Sequence, residues 1–297
     1  MSVTEFDLQA EELLTQEEMS QMAVIWRRFR KHKLALISLV FILLLLAVAI
    51  LAPWIMPYPY DEIDVPNAFG APSAAHPMGT DQLGRDVLSR LMWGTRISLY
   101  VGIAATVIGH LIGIFVGAIS GYYGGAADSI LMRITDFFLT LPSLPLLLVL
   151  SVILAASVNT VILILGLLGW MAAARLVRGV VLSLREQEFI EASHALGMSD
   201  GKIILRHMIP NAMAPIIVSI TLGIGTTIIV EAALSFLGFG VRPPTPSWGN
   251  MLNRVQDYIL MNPILAIYPG LAIFLTVLAF NFMGDGLRDA LDPRLKM

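Results

Sequence analysis

The chain has 297 residues, of which 57% are hydrophobic and 14% charged, with a formal net charge of −3 and a mean hydropathy of +0.77. That balance is too apolar for a soluble domain and places the chain among integral membrane proteins. It contains no cysteine, which excludes disulfides, thiolate metal ligands, a cysteine nucleophile and a lipoprotein anchor.

Residues 1–26 carry Glu5, Asp7, Glu11, Glu12, Glu17 and Glu18 but no Lys or Arg. They read as an acidic solvated tail, with a surface helix through Leu8, Leu13 and Leu14 as the alternative. Arg27, Arg28, Arg30, Lys31 and Lys33 then precede the first apolar run, 34–56. Basic residues beside a span resist translocation and are drawn to anionic headgroups, so 1–33 is expected in the cytoplasm. The run itself ends Ala52-Pro53-Trp54 without a small-x-small cleavage signal, and is read as an anchor helix and not a signal peptide. An external loop follows at 57–94, containing Tyr58-Pro-Tyr60 and HPMGTDQLGRDVLSR from His76 to Arg90.

Five more apolar segments lie at about 97–121, 139–157, 160–182, 213–239 and 264–283. In the second span Gly109, Gly113, Gly117 and Gly121 recur every four residues, a smooth ridge along one helix face. Lipid provides no hydrophobic drive between helices, so such a ridge serves close backbone packing. Pro142 and Pro145 fall at the start of the third span, where a missing N–H costs least. Val158-Asn159 is the short link expected to fold the third and fourth spans into a hairpin. Six spans return the C-terminal tail, 287–297, to the cytoplasm. That count leaves fourteen of the nineteen Lys and Arg residues inside and five outside, and shifting it by one span would put the 183–210 loop outside and spoil the bias.

Between the fourth and fifth spans lies a polar island, 183–210. Residues 186–196 place Phe189, Ala192 and Leu196 on one helical side, with Glu186, Glu188 and Glu191 elsewhere around the cylinder. Gly197 is a C-cap candidate, and Ser199-Asp200 opens a second helix that runs through Ile203, Ile204 and His207 to Pro210. Further on, the last external loop holds PPTPSWG, 243–249, and the tail holds GDGLRDALDPRLK, 284–296.

Glu191-Ala192-Ser193, Gly197 and Ile209-Pro210 resemble the EAA loop of ABC importer permeases, with Ser193 replacing the second Ala and His207 where an apolar residue is usual. Together with the 76–90, 243–249 and 284–296 motifs, in that order, the loop is similar to the C-type permease of the dipeptide/oligopeptide/nickel branch. The resemblance covers the chain from about residue 22 to its end. It implies an all-α, six-span type I importer permease with both termini cytoplasmic, a core at 95–286 and a location in a bacterial or archaeal cytoplasmic membrane. It further implies a homologous B-type permease as partner, an extracytoplasmic solute-binding protein and two ATPase subunits that carry ATP and Mg. The loop residues Phe189, Glu191, Ala192, Leu196, Gly197 and Pro210 become the expected ATPase contact. The cargo would be a di- or oligopeptide, with glutathione, opines or nickel chelates as alternatives.

The residues agree that the motor is elsewhere. No GxxxxGK[ST] phosphate loop, GxSxG elbow or HExxH pair occurs, and the five histidines show no metal-ligand spacing. The chain is expected to be non-catalytic, to bind no cofactor, and to meet lipid and not nucleic acid. Away from the span ends, where Arg175 and Arg178 lie, two ionisable residues stand out, Glu231 in the fifth span and His110 in the second. A carboxylate facing lipid costs about 2.5–3.5 kcal/mol at the bilayer centre, so Glu231 should face protein, water or a cavity. Either it lines the pathway and meets the ammonium of a passing peptide, or it is a structural hydrogen-bond anchor. His110 is likewise a pathway candidate or a packed interhelical donor. The rival from another class, an ion-driven secondary transporter working alone, would usually show an inverted repeat, and none is visible.

Overall fold

A computed structural model describes residues 21–155, 157–253 and 255–291. The acidic tail expected at 1–20 and the last residues, 292–297, lie outside the described residues, as do Ala156 and Arg254. Among the described residues every regular element is helical, apart from one isolated bridge between Thr80 and Asp86.

The amphipathic helix α1 (Gln21–Lys31) ends in Arg28, Arg30 and Lys31. His32 then starts α2 (Lys33–Ile55), its ring Nδ1 accepting from the Ala35 N–H at 3.1 Å. Phe29 and Ala35 meet Gly286 near the far end of the last helix, which seats α1 on the C-terminal part of the fold. Along α2 the buried positions are Ala35, Ser38, Ile42, Ala49 and Ala52, a seam of mostly small residues, while Ile37, Leu44 and Ile50 face outward. Outward aliphatics are the norm for a helix whose solvent is lipid.

Helix α3 (Val87–Tyr123) is longer than the expected 97–121 span, because Asp86 caps it ten residues earlier. The Asp86 carboxylate accepts from the Ser89 N–H at 2.7 Å and the Ser89 hydroxyl at 2.8 Å, and lies 2.9 Å from the His76 ring. Asp81 pairs with Arg85 at 2.7 Å and Arg90 at 3.3 Å, all three buried. The 76–90 motif is thus a folded lid on the start of α3.

The third span differs from its sequence reading. Helix α4 (Gly125–Thr140) and α5 (Ser143–Ile153) meet at an angle of 87° around Leu141 and Pro142. Pro142 lacks an N–H and pushes Leu141 to extended backbone (φ −75°, ψ 134°), so α4 cannot continue. Five described helices, counting α6 (Val158–Leu168) and α7 (Trp170–Arg185) as one, are long and apolar enough to cross a membrane, and the bent pair makes six. The hairpin turn also falls earlier than the expected Val158-Asn159 link. Ser157 caps α6 by accepting from the Thr160 N–H, so Val158 and Asn159 are already helical.

After the polar island come α8 (Glu188–Ala195), α9 (Asp200–Ile203), a π turn at Ile204–Met208 and α10 (Ile209–Asn211). The fifth span, α11 (Met213–Phe236), is followed by the short α12 (Trp248–Leu252) and the final α13 (Ile264–Leu291). Gly225 lies against Val277 and Phe280, and Gly284 against Thr221 and Leu222, so α13 runs antiparallel to α11.

Candidate coupling surface and translocation cavity

Helix α8 has two unlike faces. Ile190 is 1% exposed and packs with Tyr122, Val181, Ile203 and Met208, while Ser193 is buried and its hydroxyl donates to the Phe189 carbonyl at 2.7 Å. Phe189 at 41% and Leu196 at 86% point the other way, with Glu191 and Ala192 exposed beside them. The side expected to hold Phe189, Ala192 and Leu196 is therefore the outward one. Phe189 and Leu196 are thus exposed apolar side chains on a helix too polar to face lipid.

The turn after α8 depends on Gly197, whose φ is +76°. Its N–H donates to His194 O at 2.9 Å, and the Met198 N–H donates to Ser193 O at 3.1 Å. This is a Schellman closure, and the left-handed residue at its corner is usually glycine because a Cβ there is strained. No atom lies within 4 Å of where that Cβ would stand, so backbone conformation alone selects the glycine. Ser199 opens α9 through its carbonyl, which accepts from Lys202 and Ile203, and not through its side chain. Pro210 is exposed at the start of α10, and the π turn before it closes with the Ile209 N–H on Ile204 O.

A clasp that the sequence did not announce joins this block to α3. The Tyr122 hydroxyl donates to Asp200 Oδ1 at 2.8 Å and lies 3.2 Å from His194 Nε2, with the two rings stacked 5.9 Å apart. Arg185 adds a hydrogen bond to the Tyr122 carbonyl at 3.2 Å, and Arg178 pairs bidentately with Asp128 of α4. Aromatic Tyr122 at the end of an apolar span gave no signal of its own; its partners lie 72 and 78 residues away.

The glycine ridge faces α7 and the α6–α7 junction. A methyl group at Gly113 would stand 2.6 Å from Ala173 Cβ, and at Gly121 2.9 Å from Arg178 O. At Gly117 it would overlap the Ala174 carbonyl, and at Gly109 it would press on Gly169 and Gly166.

A cavity of about 890 Å³ opens between α3, α5, α6, α7, α11 and α13. His110 lines it, as do Thr106, Ser143, Ser219, Thr226 and Thr227. His110 Nδ1 lies 2.9 Å from the Thr106 carbonyl, which can only accept, so Nδ1 carries the hydrogen. In the neutral ring Nε2 then accepts from the Ser219 hydroxyl at 3.0 Å. The Thr106 and Thr227 hydroxyls meet at 2.9 Å. Gly223 lets both α3 side chains lie close, since a Cβ there would be 3.1 Å from each. His110 is therefore an interhelical hydrogen-bonding group on the wall of this cavity.

Glu231 is 0% exposed and does not line this cavity. Its Oε1 accepts from Ser235 at 2.7 Å and Ser247 at 2.9 Å, and its Oε2 from Ser98 at 3.4 Å. Ser98 in turn accepts from the Trp248 N–H at 3.1 Å, and Ser247 forms a capping box with Asn250. The carboxylate thus anchors the 243–249 motif onto α3 and α11, with three hydroxyl donors satisfying it.

Residues 113–297 match the family described as binding-protein-dependent transport system inner membrane component, and residues 20–72 match the N-terminal TM domain of oligopeptide transport permease C. Similar curated proteins include the glutathione transport system permease protein GsiD of Escherichia coli and of Shigella boydii. Each is 46% identical over 272 residues, covering 91% of this chain and 90% of the relative. The Pectobacterium atrosepticum protein of the same name is 44% identical over the same length. Among solved structures, two crystal forms of the inward-facing MetNI methionine ABC transporter align with TM-scores of 0.52 and 0.51 at 21% and 22% identity. They cover 68% of this chain and 97% and 96% of theirs, a likeness of fold. The chain therefore belongs to the binding-protein-dependent ABC importer permeases, in the C-type branch of the dipeptide/oligopeptide group, and is a multi-pass protein of the bacterial inner membrane.

Proposed function

We propose that this chain forms one half of the conduit of an importer for small peptide-like solutes, glutathione among them. A homologous B-type permease supplies the other half, an extracytoplasmic solute-binding protein delivers the cargo, and two ATPase subunits holding ATP and Mg drive alternating access. Both termini lie in the cytoplasm. The chain itself alters no covalent bond, in keeping with the missing phosphate loop.

The observation that carries this reading is the outward pair Phe189 and Leu196 on a helix whose other face is packed into the membrane domain. Energy from a separate motor must cross such a contact as a rigid-body movement, which needs a short, stiff element. Glu191 is exposed beside the pair and available to an arginine or to backbone amides of the ATPase. For the cargo, support comes from the names of the 46%-identical relatives and from a cavity within the range of about 300–1,000 Å³ usual for small-molecule sites. Dipeptides, longer peptides and nickel chelates are alternative cargoes of the same machinery.

Gly197→Val tests the coupling role in the complete complex reconstituted in vesicles. A β-branched residue at φ +76° costs about 1–2 kcal/mol or more and reshapes the turn. ATP hydrolysis should persist while uptake per ATP falls at least about tenfold. Normal uptake by this variant would remove the assignment.

A further inference from the structure

The wall of the cavity is electrically one-sided. Among the described lining residues there is no Asp or Glu, and the ionisable ones are His110 and Arg288. Histidine is neutral or cationic and arginine cationic, so this side of the cavity never becomes negative. Arg288 sits at the end marked by Ala214, because α13 runs antiparallel to α11 and its Gly284 already lies beside Leu222. Asp285 and Asp289 share its helix but do not line the cavity. The one carboxylate of α11, Glu231, is turned into the protein and occupied by three hydroxyls.

An ammonium entering this space loses hydration and meets no countercharge from this chain. A carboxylate meets a guanidinium at one end and hydroxyls along the wall, and charge-assisted hydrogen bonds to such groups are the stronger class. The Thr226 and Thr227 hydroxyls already donate to the Leu222 and Gly223 carbonyls. The best-placed donor is Ser219. Its hydrogen lies on His110 Nε2 while Nδ1 is held by the Thr106 carbonyl. Rotation of that single hydroxyl turns the hydrogen toward an incoming oxygen, and cavity water replaces it at Nε2.

Building on the import reading, we propose that His110 and Ser219 form a carboxylate-accepting station on the translocation pathway, with Arg288 as a second positive group beyond it. This chain then selects, at the translocation step and after receptor delivery, for small solutes of net negative or zero charge. His110 and Ser219 are binding residues here, and Thr106 is a positioning residue that orients the ring.

The test uses the whole complex in vesicles, with the binding protein at saturating concentrations of each of two probes on one skeleton. These are reduced glutathione, with two carboxylates, and its diethyl ester, with none. The wild-type complex should move glutathione faster than the ester. His110→Asp and Arg288→Glu should each shrink the glutathione-to-ester ratio by about tenfold, because a like charge now faces the carboxylates. A purely structural lesion lowers both probes together and leaves the ratio alone. An unchanged ratio in both variants, whether or not total uptake falls, overturns the proposal. If the wild-type complex moves neither probe in an ATP-dependent way, the import reading of this cavity fails with it.

Discussion

Three hydroxyls converge on Glu231, one from α3, one from α11 and one from the 243–249 loop. Removing the carboxylate leaves Ser98, Ser235 and Ser247 without their acceptor in a dry interior, and each orphaned group costs about 1–3 kcal/mol. Glu231→Ala should therefore destabilise the purified subunit by about 3 kcal/mol or more. Glu231→Gln keeps one carbonyl oxygen, and the serines can turn to accept from its amide, so the loss should be nearer 1 kcal/mol. Thermal unfolding in detergent measures both. Equal melting of the two variants would show that the hydroxyls are not what holds the side chain. At the same scale, Tyr122→Phe removes a donor to Asp200 and should raise protease sensitivity of the 186–200 block while leaving the spans intact.

Helices α3 and α7 approach through the glycine ridge, and the ridge allows a direct test. A methyl group at Gly117 meets backbone atoms of Ala174 and Arg178, which cannot swing away. Gly117→Ala should force the helices apart and cost about 1–3 kcal/mol, seen as lower yield and earlier unfolding of the assembled complex. Gly179→Ala, on the open side of α7, should have little effect in the same assay. The elements also show which parts of the fold the sequence could disclose. The α2 and α11 spans are legible because their long apolar runs begin and end abruptly. The start of α3 is not, because residues 87–96 are mixed polar and apolar and become helical through the cap at Asp86. Pro142 signals a helix start, but the local sequence does not give the 87° angle between α4 and α5. In the site, the bend at Gly197 and the outward face of α8 follow from local spacing. The His110–Ser219 bond joins residues 109 apart, and Ser98–Glu231 residues 133 apart. No local pattern carries such pairs, so a buried carboxylate could be foreseen as satisfied without its partners being known.

Because the chain has no cysteine, its orientation in the membrane is open to single-site labelling. Ala75→Cys in the external lid and Ser199→Cys beside Gly197 are exposed positions on opposite sides of the proposed bilayer. A membrane-impermeant maleimide should modify the first in intact cells and the second only after the membrane is opened; the reverse pattern would invert the topology. The missing phosphate loop sets a second expectation for the whole assembly. Vesicles holding the two permeases without ATPase subunits should accumulate no glutathione against a gradient, and accumulation driven by ions alone would favour a secondary transporter.

Helix α3 runs without interruption from the cap at Asp86 to the clasp at Tyr122. Its 37 residues give a rod of about 55 Å. On a lever of that length each degree of tilt at the Tyr122 end carries Val87 sideways by about 1 Å. A swing of only a few degrees at the Tyr122 end would thus become a stroke as wide as a side chain at the Val87 end, and no hydrogen bond within the rod has to open for it to arrive.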